Sequence, residues 1–217
     1  FSPNSGTSFG TFTQTGGTLR LNTVGSTSTS RAPLEINTGV PFTMSGGTIV
    51  VCRQSSNVGA DVIISSTIPN VTGGTLQIGD DAFTPVSQNI RINSTVPLYN
   101  LTVNATNAPT AQLLTNSLTV KNNVTIAGGT LNPSGLGLTV GGNWTNNGSF
   151  VAGSGTVTFN GTSNQNLDGS VATTFNNLVM NNAAGLTLSG SVNTTVSGIL
   201  NLTAGVITTG NNKVILP

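Results

Sequence analysis

A Gly-Gly-Thr motif returns at intervals along this 217-residue chain and limits its fold more than any other feature. It occurs as Gly16-Gly17-Thr18-Leu19, Gly46-Gly47-Thr48-Ile49, Gly73-Gly74-Thr75-Leu76 and Gly128-Gly129-Thr130-Leu131. A second phrase, Asn100-Leu101-Thr102-Val103, returns as Asn177-Leu178-Val179-Met180. We align eight positions: Gly17, Gly47, Gly74, Leu101, Gly129, Gly155, Leu178 and Gly205. Their spacing predicts about eight repeats of roughly 27 residues, a period typical of solenoid proteins.

The pattern within one repeat predicts short strands. Leu136, Leu138 and Val140 alternate with small or polar residues, and Gly, Asn or Ser stands at the breaks. Hairpins would explain short strands, but they would not explain the repeat. A parallel β-helix explains both, because each turn lays about three strands that pair with the next turn. We therefore predict an all-β, right-handed parallel β-helix spanning residues 1–217 as one segment, with a β-sandwich as the alternative.

The composition agrees with stacked coils. Thr, Asn, Gly and Ser make up 114 of the 217 residues, against 6 Lys+Arg and 5 Asp+Glu. Equivalent residues of successive coils lie about 5 Å apart, so stacked like charges would repel each other. Asn can form amide ladders, Thr suits outer faces, and Gly suits tight corners. The 60 Leu, Ile, Val and Phe residues are enough to build a core.

The same composition excludes many functions. The chain has no His and one Cys, which excludes Ser-His-Asp and Cys-His catalysis, His-ligated metals, thiolate zinc sites and intrachain disulfides. Six scattered basic residues and a net charge of +1 give no nucleic-acid surface. No apolar run is long enough to span a membrane as a helix. We expect no cofactor, no metal and no catalytic residue.

One segment imitates half of a calcium-binding loop. Asn164, Asn166 and Asp168 alternate and are followed by Gly169, as in the first six positions of such a loop. Phe175 stands where the bidentate Glu belongs. The sequence therefore favours an Asn- and Gly-rich turn over a metal site.

Charged residues gather at one place, which is the best enzyme candidate. Asp80 and Asp81 lie near Asp61, about one coil from Arg91 and Arg53. Polysaccharide-active β-helix enzymes use acidic and basic residues on one face. Adjacent residues of a strand point to opposite faces, however, so an Asp-Asp turn between strands is the favoured interpretation.

Three rarer side chains have alternative roles. Cys52 follows an apolar strand and is expected to be a buried thiol rather than half of an intermolecular disulfide. Trp144 and Tyr99 would stack on sugar rings if they were exposed. Trp144 lies in line with the apolar positions of its coil, which favours the core or the coil edge.

Thr-x-Thr steps resemble the flat Thr arrays of ice-binding solenoids. They occur at Thr11/Thr13/Thr15, Thr27/Thr29 and Thr156/Thr158. An ice-binding face needs such a pair on every coil at one phase. The irregular spacing argues against this function.

Several longer phrases resemble a known class of sequence. They are residues 138–148, 155–161, 174–178 and 205–211, rich in Gly, Asn and Thr. The chain resembles the repeat regions of large cell-surface proteins of Bacteroidota, which are exported by the type IX secretion system. Some of those proteins are adhesins, in certain cases of gliding motility. The resemblance implies an extracellular or cell-surface location, contact with secretion machinery, and no catalytic residue. The C-terminal sorting domain of such proteins is not visible, which suggests a fragment.

We therefore expect a non-enzymatic structural or adhesive segment, such as part of a stalk, fibre or adhesin. Its expected partners are other copies, through stacking of coil ends, or flanking segments of the same chain, together with surface glycans. No residue is assigned to a ligand. A glycan-binding module and a polysaccharide-active β-helix enzyme are the alternatives.

Overall fold

A computed structural model describes residues 10–57, 59–104, 107–190 and 192–217. Within these ranges the chain forms 24 short strands. In chain order they are β1 (Phe12–Gln14), β2 (Thr18–Leu21), β3 (Leu34–Ile36), β4 (Phe42–Val51), β5 (Val62–Ile64), β6 (Pro69–Ile78), β7 (Asn89–Ser94), β8 (Asn100–Val103), β9 (Thr110–Leu113), β10 (Leu118–Val120), β11 (Val124–Ile126), β12 (Thr130–Asn132), β13 (Leu138–Val140), β14 (Trp144–Asn146), β15 (Ser149–Phe150), β16 (Thr156–Phe159), β17 (Gln165–Asp168), β18 (Thr173–Phe175), β19 (Asn177–Asn181), β20 (Leu186–Leu188), β21 (Thr194–Val196), β22 (Leu200–Ala204), β23 (Ile207–Thr208) and β24 (Val214–Ile215). None of the described residues belongs to a helix that is long and apolar enough to cross a membrane.

The strands wind as a parallel β-solenoid with three faces. On the first face, β10, β13, β16, β19 and β22 pair in that order. On the second, β8, β11, β14, β17, β20 and β23 continue a stack that begins with β2, β4 and β6. On the third, β3, β5, β7, β9, β12 and β15 pair in succession, and β18, β21 and β24 follow them. Every described pairing joins parallel strands of successive coils, which confirms the predicted fold and rejects the β-sandwich. Right-handedness stays a prediction.

The coils become shorter along the chain, which the sequence period did not predict. The inward column of the second face runs Leu19, Ile49, Leu76, Leu101, Val124, Trp144, Leu167 and Leu188. The spacings along this column are 30, 27, 25, 23, 20, 23 and 21 residues. Nine strands stack in the longest sheet, whereas the sequence predicted about eight coils. Gly129 lies before a third-face strand, because Thr130 pairs with Thr110.

In the early coils, one strand covers two faces by bending at a Gly-Gly pair. The pairing of β4 with β6 is irregular between Met44 and Thr48, where Gly46 and Gly47 lie. Gly47 has a φ of 76°, in the left-handed region that a residue without Cβ adopts readily. In these early coils the tandem Gly motif therefore marks the corner between the first two faces.

The core is a continuous apolar column inside the three faces. It contains an aromatic cluster in the sixth and seventh coils, where the Trp144 ring lies 4.9 Å from Phe150, 5.5 Å from Phe175 and 6.4 Å from Phe159. Most of these ring pairs meet edge to face, the arrangement that aromatic quadrupoles favour.

The two ends of the solenoid differ. In the first coil, the side chains of Leu34 and Ile36 are completely buried. In the last coil, Leu202 and Val206 are 57% and 66% exposed, although Leu202 pairs with the fully buried Met180. The third-face core positions of the first coil are therefore covered, whereas core positions of the last coil are open.

Candidate functional site

The most deeply buried ion pair joins Asp61 of the second coil to Arg91 of the third. Asp61 is fully buried, and Arg91 donates to it from Nε at 2.9 Å and from Nη2 at 3.2 Å. The backbone N–H of Arg91 and both the N–H and hydroxyl of Ser55 also donate to this carboxylate. Its oxygens are therefore fully used by the protein, which indicates a structural role.

The Asp80–Asp81 step is a turn, as the sequence favoured. Asp80 follows β6, and Asp81 begins a turn that ends at Phe83. Arg20 donates from Nε to Asp80 at 2.9 Å, and the Ala82 N–H donates to its other oxygen at 2.9 Å. Asp61 and Asp80 thus have different arginine partners. Arg53 joins neither pair and donates instead to the carbonyl of Phe83.

The hydrogen bonds to Asp80 should make the stability of the fold depend on pH. Burial raises the pKa of Asp80. The hydrogen bonds from Arg20 and the Ala82 N–H together lower this pKa by a larger amount, so that it lies below the ordinary value of 3.8. The ionised group therefore stabilises the fold fully above the ordinary pKa, and this contribution is lost as pH falls through the folded-state pKa.

We expect Asp80→Asn to destabilise the fold at neutral pH and to differ little from wild type once the pH is below the folded-state pKa. Urea unfolding across the acid range measures this, with Asp81→Asn as an exposed neighbouring control. A stability difference between wild type and Asp80→Asn that stays constant down to the lowest pH would contradict the assignment.

The half calcium loop forms neither a loop nor the predicted turn. Asn166 and Asp168 belong to β17, and Asn164 hydrogen-bonds with Thr187 of the next coil at 3.1 Å. Residues four apart in an extended strand are separated by about 13.6 Å, so Asn164 and Asp168 do not converge on one cation as the corresponding positions of a calcium loop do. No group of three or more acidic, Cys or His side chains in the described ranges is placed to hold a metal. The turn starts only at Gly169, where φ is 133°.

The rarer side chains lie where the favoured interpretations placed them. Trp144 is completely buried, and its Nε1–H points at Thr173 Oγ1, 3.3 Å away, so it is not available to stack on a sugar. Tyr99 is half-buried against the core. Cys52 is completely buried, and burial raises the pKa of its thiol.

The outward Thr columns are short. Thr119, Thr139 and Thr158 stack on the first face, but Val179 is next in register. Thr102, Thr125 and Thr145 stack on the second face, between Gln77 and Asp168. Neither column extends over all coils, which agrees with the sequence argument against an ice-binding face.

A polar groove crosses the corner between the first and second faces in coils five to seven. We call it the amide groove, with a volume of about 310 Å³. Every lining residue is polar or Gly: Lys121, Asn122, Asn123, Gly141, Gly142, Asn143, Thr162, Ser163, Asn164 and Gln165. A second hollow of about 240 Å³ adjoins it and shares Lys121, Gly141 and Thr162.

An asparagine ladder builds the floor of the groove. Asn100 Oδ1 accepts the backbone N–H of Asn123 at 3.2 Å, and Asn123 Oδ1 accepts that of Asn143 at 2.8 Å. Asn143 Oδ1 in turn accepts the N–H of Asn166 at 2.9 Å. Each side chain thus satisfies a corner N–H of the next coil, where the strand ladder is interrupted. These bonds join side chain to backbone and so differ from the side-chain amide ladder that the sequence suggested.

The loop from Asn160 to Asn164 forms one wall of the groove. Measured between paired residues, this corner is four residues longer than the two before it, because Phe159 pairs with Val140 and Leu167 pairs with Trp144. Gln165, completely buried, braces the loop by accepting the N–H of Gly161 at 2.8 Å and donating to the carbonyl of Val140 at 3.0 Å. Asn182 donates to the carbonyl of Ser163 at 2.7 Å. The wall is therefore fixed before any ligand arrives.

This groove was not predicted from the sequence. Asn and Gly are abundant throughout the chain, so these residues did not stand out. The assumed 27-residue period also placed them at different positions of the repeat. The signal was nevertheless present, because Asn123-Val124 and Asn143-Trp144 are separated by 20 residues and each Asn precedes a core residue. A local period would have aligned them.

Comparisons with protein-family models, with curated proteins and with solved structures give no significant match to this chain.

Proposed function

We propose that this chain is a non-enzymatic structural and adhesive segment of an extracellular or cell-surface protein. The open C-terminal coil is the observation that carries the structural role. Leu202 and Val206 are more than half exposed there, and β22, β23 and β24 are each the last strand of their sheet. An apolar rung with unpaired strand edges is a template for another coil. A second copy of this chain, or a flanking segment of the same chain, is the coil that we propose to stack on it.

Low charge favours such stacking. The net charge is +1, so two copies repel each other only weakly. The last strands carry Thr, Asn and aliphatic side chains, and Lys213 is the only charged residue after Asp168. Strand edges elsewhere are commonly protected by several charged residues, and this end lacks that protection.

The cell-surface location and the passage through secretion machinery rest on the sequence resemblance to Bacteroidota repeat regions. The adhesive role is supported by the outward Thr and Asn side chains, which repeat from coil to coil. Repeated weak contacts of this kind gain strength by multivalency. Arginine pairing of Asp61 and Asp80 supports a non-enzymatic role, because it commits both carboxylates to the fold.

We expect the purified chain to associate with rising concentration and Leu202→Asp to remain monomeric. The substitution places a charge on the open rung, where it would have to be desolvated in the stacked complex. Sedimentation velocity over a wide concentration range measures the association. Val24→Asp, at a position 87% exposed in the N-terminal half, is the matched control and should behave as wild type. A wild-type chain that stays monomeric throughout, or equal dissociation of both variants, would overturn the stacking proposal.

A further inference from the structure

The first coil leaves an open edge at the corner between the first two faces. We call β1 and β2 together the N-terminal rung. β1 pairs with the first part of β4 and β2 with the second part, and neither pairs with any other described strand. Residues 12–14 and 16–19 line a hollow of about 320 Å³ there. Leu19 and Leu21 are only half-buried, although the β4 residues paired with them are buried. The rung therefore has room for a further strand on each of these two faces.

The first glycine of the tandem motif indicates that another coil belongs on this rung. Gly46 and Gly73 hold this position in the next two coils, and a Cβ on either would collide with a backbone carbonyl oxygen of the preceding coil. Gly16 does not have a positive φ, and a Cβ there would meet no atom within 4 Å. Neither backbone conformation nor a contact within the described chain requires glycine at position 16. A coil stacked before the first one would require it, as the first coil requires Gly46.

Gln14 gives an independent indication that a hydrogen-bond donor belongs at the same place. It lines the hollow, pairs with the buried Met44, and is only 8% exposed. Its Nε2 donates to the carbonyls of Gly16, Gly17 and Thr48 at 3.4, 3.3 and 3.2 Å. Carbonyl oxygens can only accept, so nitrogen faces them and the orientation of the amide is fixed. Oε1 is buried and has no hydrogen-bond partner, which is costly unless an N–H reaches it from outside the chain.

The C-terminal coil of another copy has the properties of the missing coil. It exposes the apolar side chains of Leu202 and Val206, and it ends the same two faces with β22 and β23. These strands would continue both faces as parallel neighbours of β1 and β2. Charge does not oppose the contact, because Arg20 is the only charged residue between positions 10 and 21 and is paired with Asp80.

We infer that the N-terminal rung of one copy docks the C-terminal coil of another, with β22 beside β1 and β23 beside β2. A backbone N–H of the docked coil donates to Gln14 Oε1, and the docked backbone lies against Gly16. The two surfaces in this contact are different, so each copy keeps one free surface of each kind. Repetition of such a contact builds an open filament.

This inference names the partner surface for the stacking part of the proposed function and rests on that part. An open C-terminal coil alone does not show which surface meets it, because two C-terminal coils could also pair about a twofold axis. The experiment therefore has to separate head-to-tail docking from pairing of two C-terminal ends.

Gly16→Asp and Leu202→Asp each block one of the two surfaces. Sedimentation velocity of the 217-residue chain should show each variant as a monomer at concentrations where wild type associates. An equimolar mixture of the two should form a 1:1 complex that does not grow, because each variant supplies the surface that the other lacks. Val86→Asp, at a position 71% exposed in the third coil, is the control and should associate as wild type.

Gly16→Ala tests the role of the glycine with the smallest change. We expect it to weaken association by about tenfold or more, because its Cβ would meet the backbone of the docked coil. Denaturant unfolding at concentrations where the chains are monomeric should give Gly16→Ala and Gly16→Asp nearly the stability of wild type, since a Cβ at this position meets no atom of the same chain.

The results that contradict the inference are distinct from those that contradict the proposed function. If Gly16→Asp associates as wild type while Leu202→Asp does not associate, two C-terminal coils pair with each other. The inference then fails, and stacking on the C-terminal coil stands. A mixture of the two blocked variants that stays monomeric would also overturn head-to-tail docking. A wild-type chain that remains monomeric throughout would overturn both the docking of copies and the stacking proposal.

Discussion

Arg91→Ala is expected to lower the free energy of unfolding by about 3–5 kcal/mol, the usual cost of breaking a buried ion pair from one side. The Asp61 carboxylate is completely buried, and the Arg91 side chain is only 12% exposed. Without the guanidinium, a buried anion would keep only the Ser55 and backbone donors. Arg91 also donates from Nη2 to the carbonyls of Ser55 and Asn57, so the loop between β4 and β5 would loosen.

Denaturant unfolding followed by circular dichroism measures this effect. Arg20→Ala is the matched control, because the Arg20 side chain is 50% exposed and its loss from Asp80 should cost distinctly less. The double variant Asp61→Asn with Arg91→Met should recover part of the loss, since it leaves no unpaired buried charge. Equal destabilisation by Arg91→Ala and Arg20→Ala would contradict the view that burial sets the cost.

The fold was predictable because its signal is periodic. Alternation such as Leu138-Thr139-Val140 gives the strands, and the recurrence of the motif gives parallel stacking. The coil lengths were not predictable in the same way, because one glycine motif serves more than one corner. Gly47 lies between the first two faces, whereas Gly129 precedes the third. Composition and local sequence do not distinguish these corners, and only the pairing of strands does.

The site was less predictable than the fold. Trp144 could be placed in the core from the sequence, since it lies in line with the apolar positions of its coil. The amide groove depends on this corner being four residues longer than the two before it and on Gln165 turning inward to brace it. The sequence does not show which backbone N–H the side-chain oxygen of a given Asn accepts, because that depends on the strand register. A constant 27-residue period therefore misaligns the residues that the observed strand register brings together in the groove.

The same corner in two successive coils allows the cost of stacking itself to be measured. Gly17 and Gly47 lie at corners that pair with each other, and both have positive φ, 67° and 76°. A Cβ at Gly17 would meet no atom within 4 Å. A Cβ at Gly47 would lie 2.5 Å from the carbonyl oxygen of Gly16 and 2.6 Å from that of Gly17. These are backbone atoms of the coil beneath, which cannot turn aside as a flexible side chain can.

Gly17→Ala should therefore lose about 1–2 kcal/mol, the cost of a left-handed conformation with a Cβ. Gly47→Ala should lose that amount and about 1–3 kcal/mol more, because the corner must lift away from the first coil or shift its strand pairing. Denaturant midpoints of the two variants give the difference, and amide hydrogen exchange should show faster opening of β1 and β2 in Gly47→Ala alone. If both variants lost the same stability, positive φ would account for the glycines, and close approach of successive coils would not.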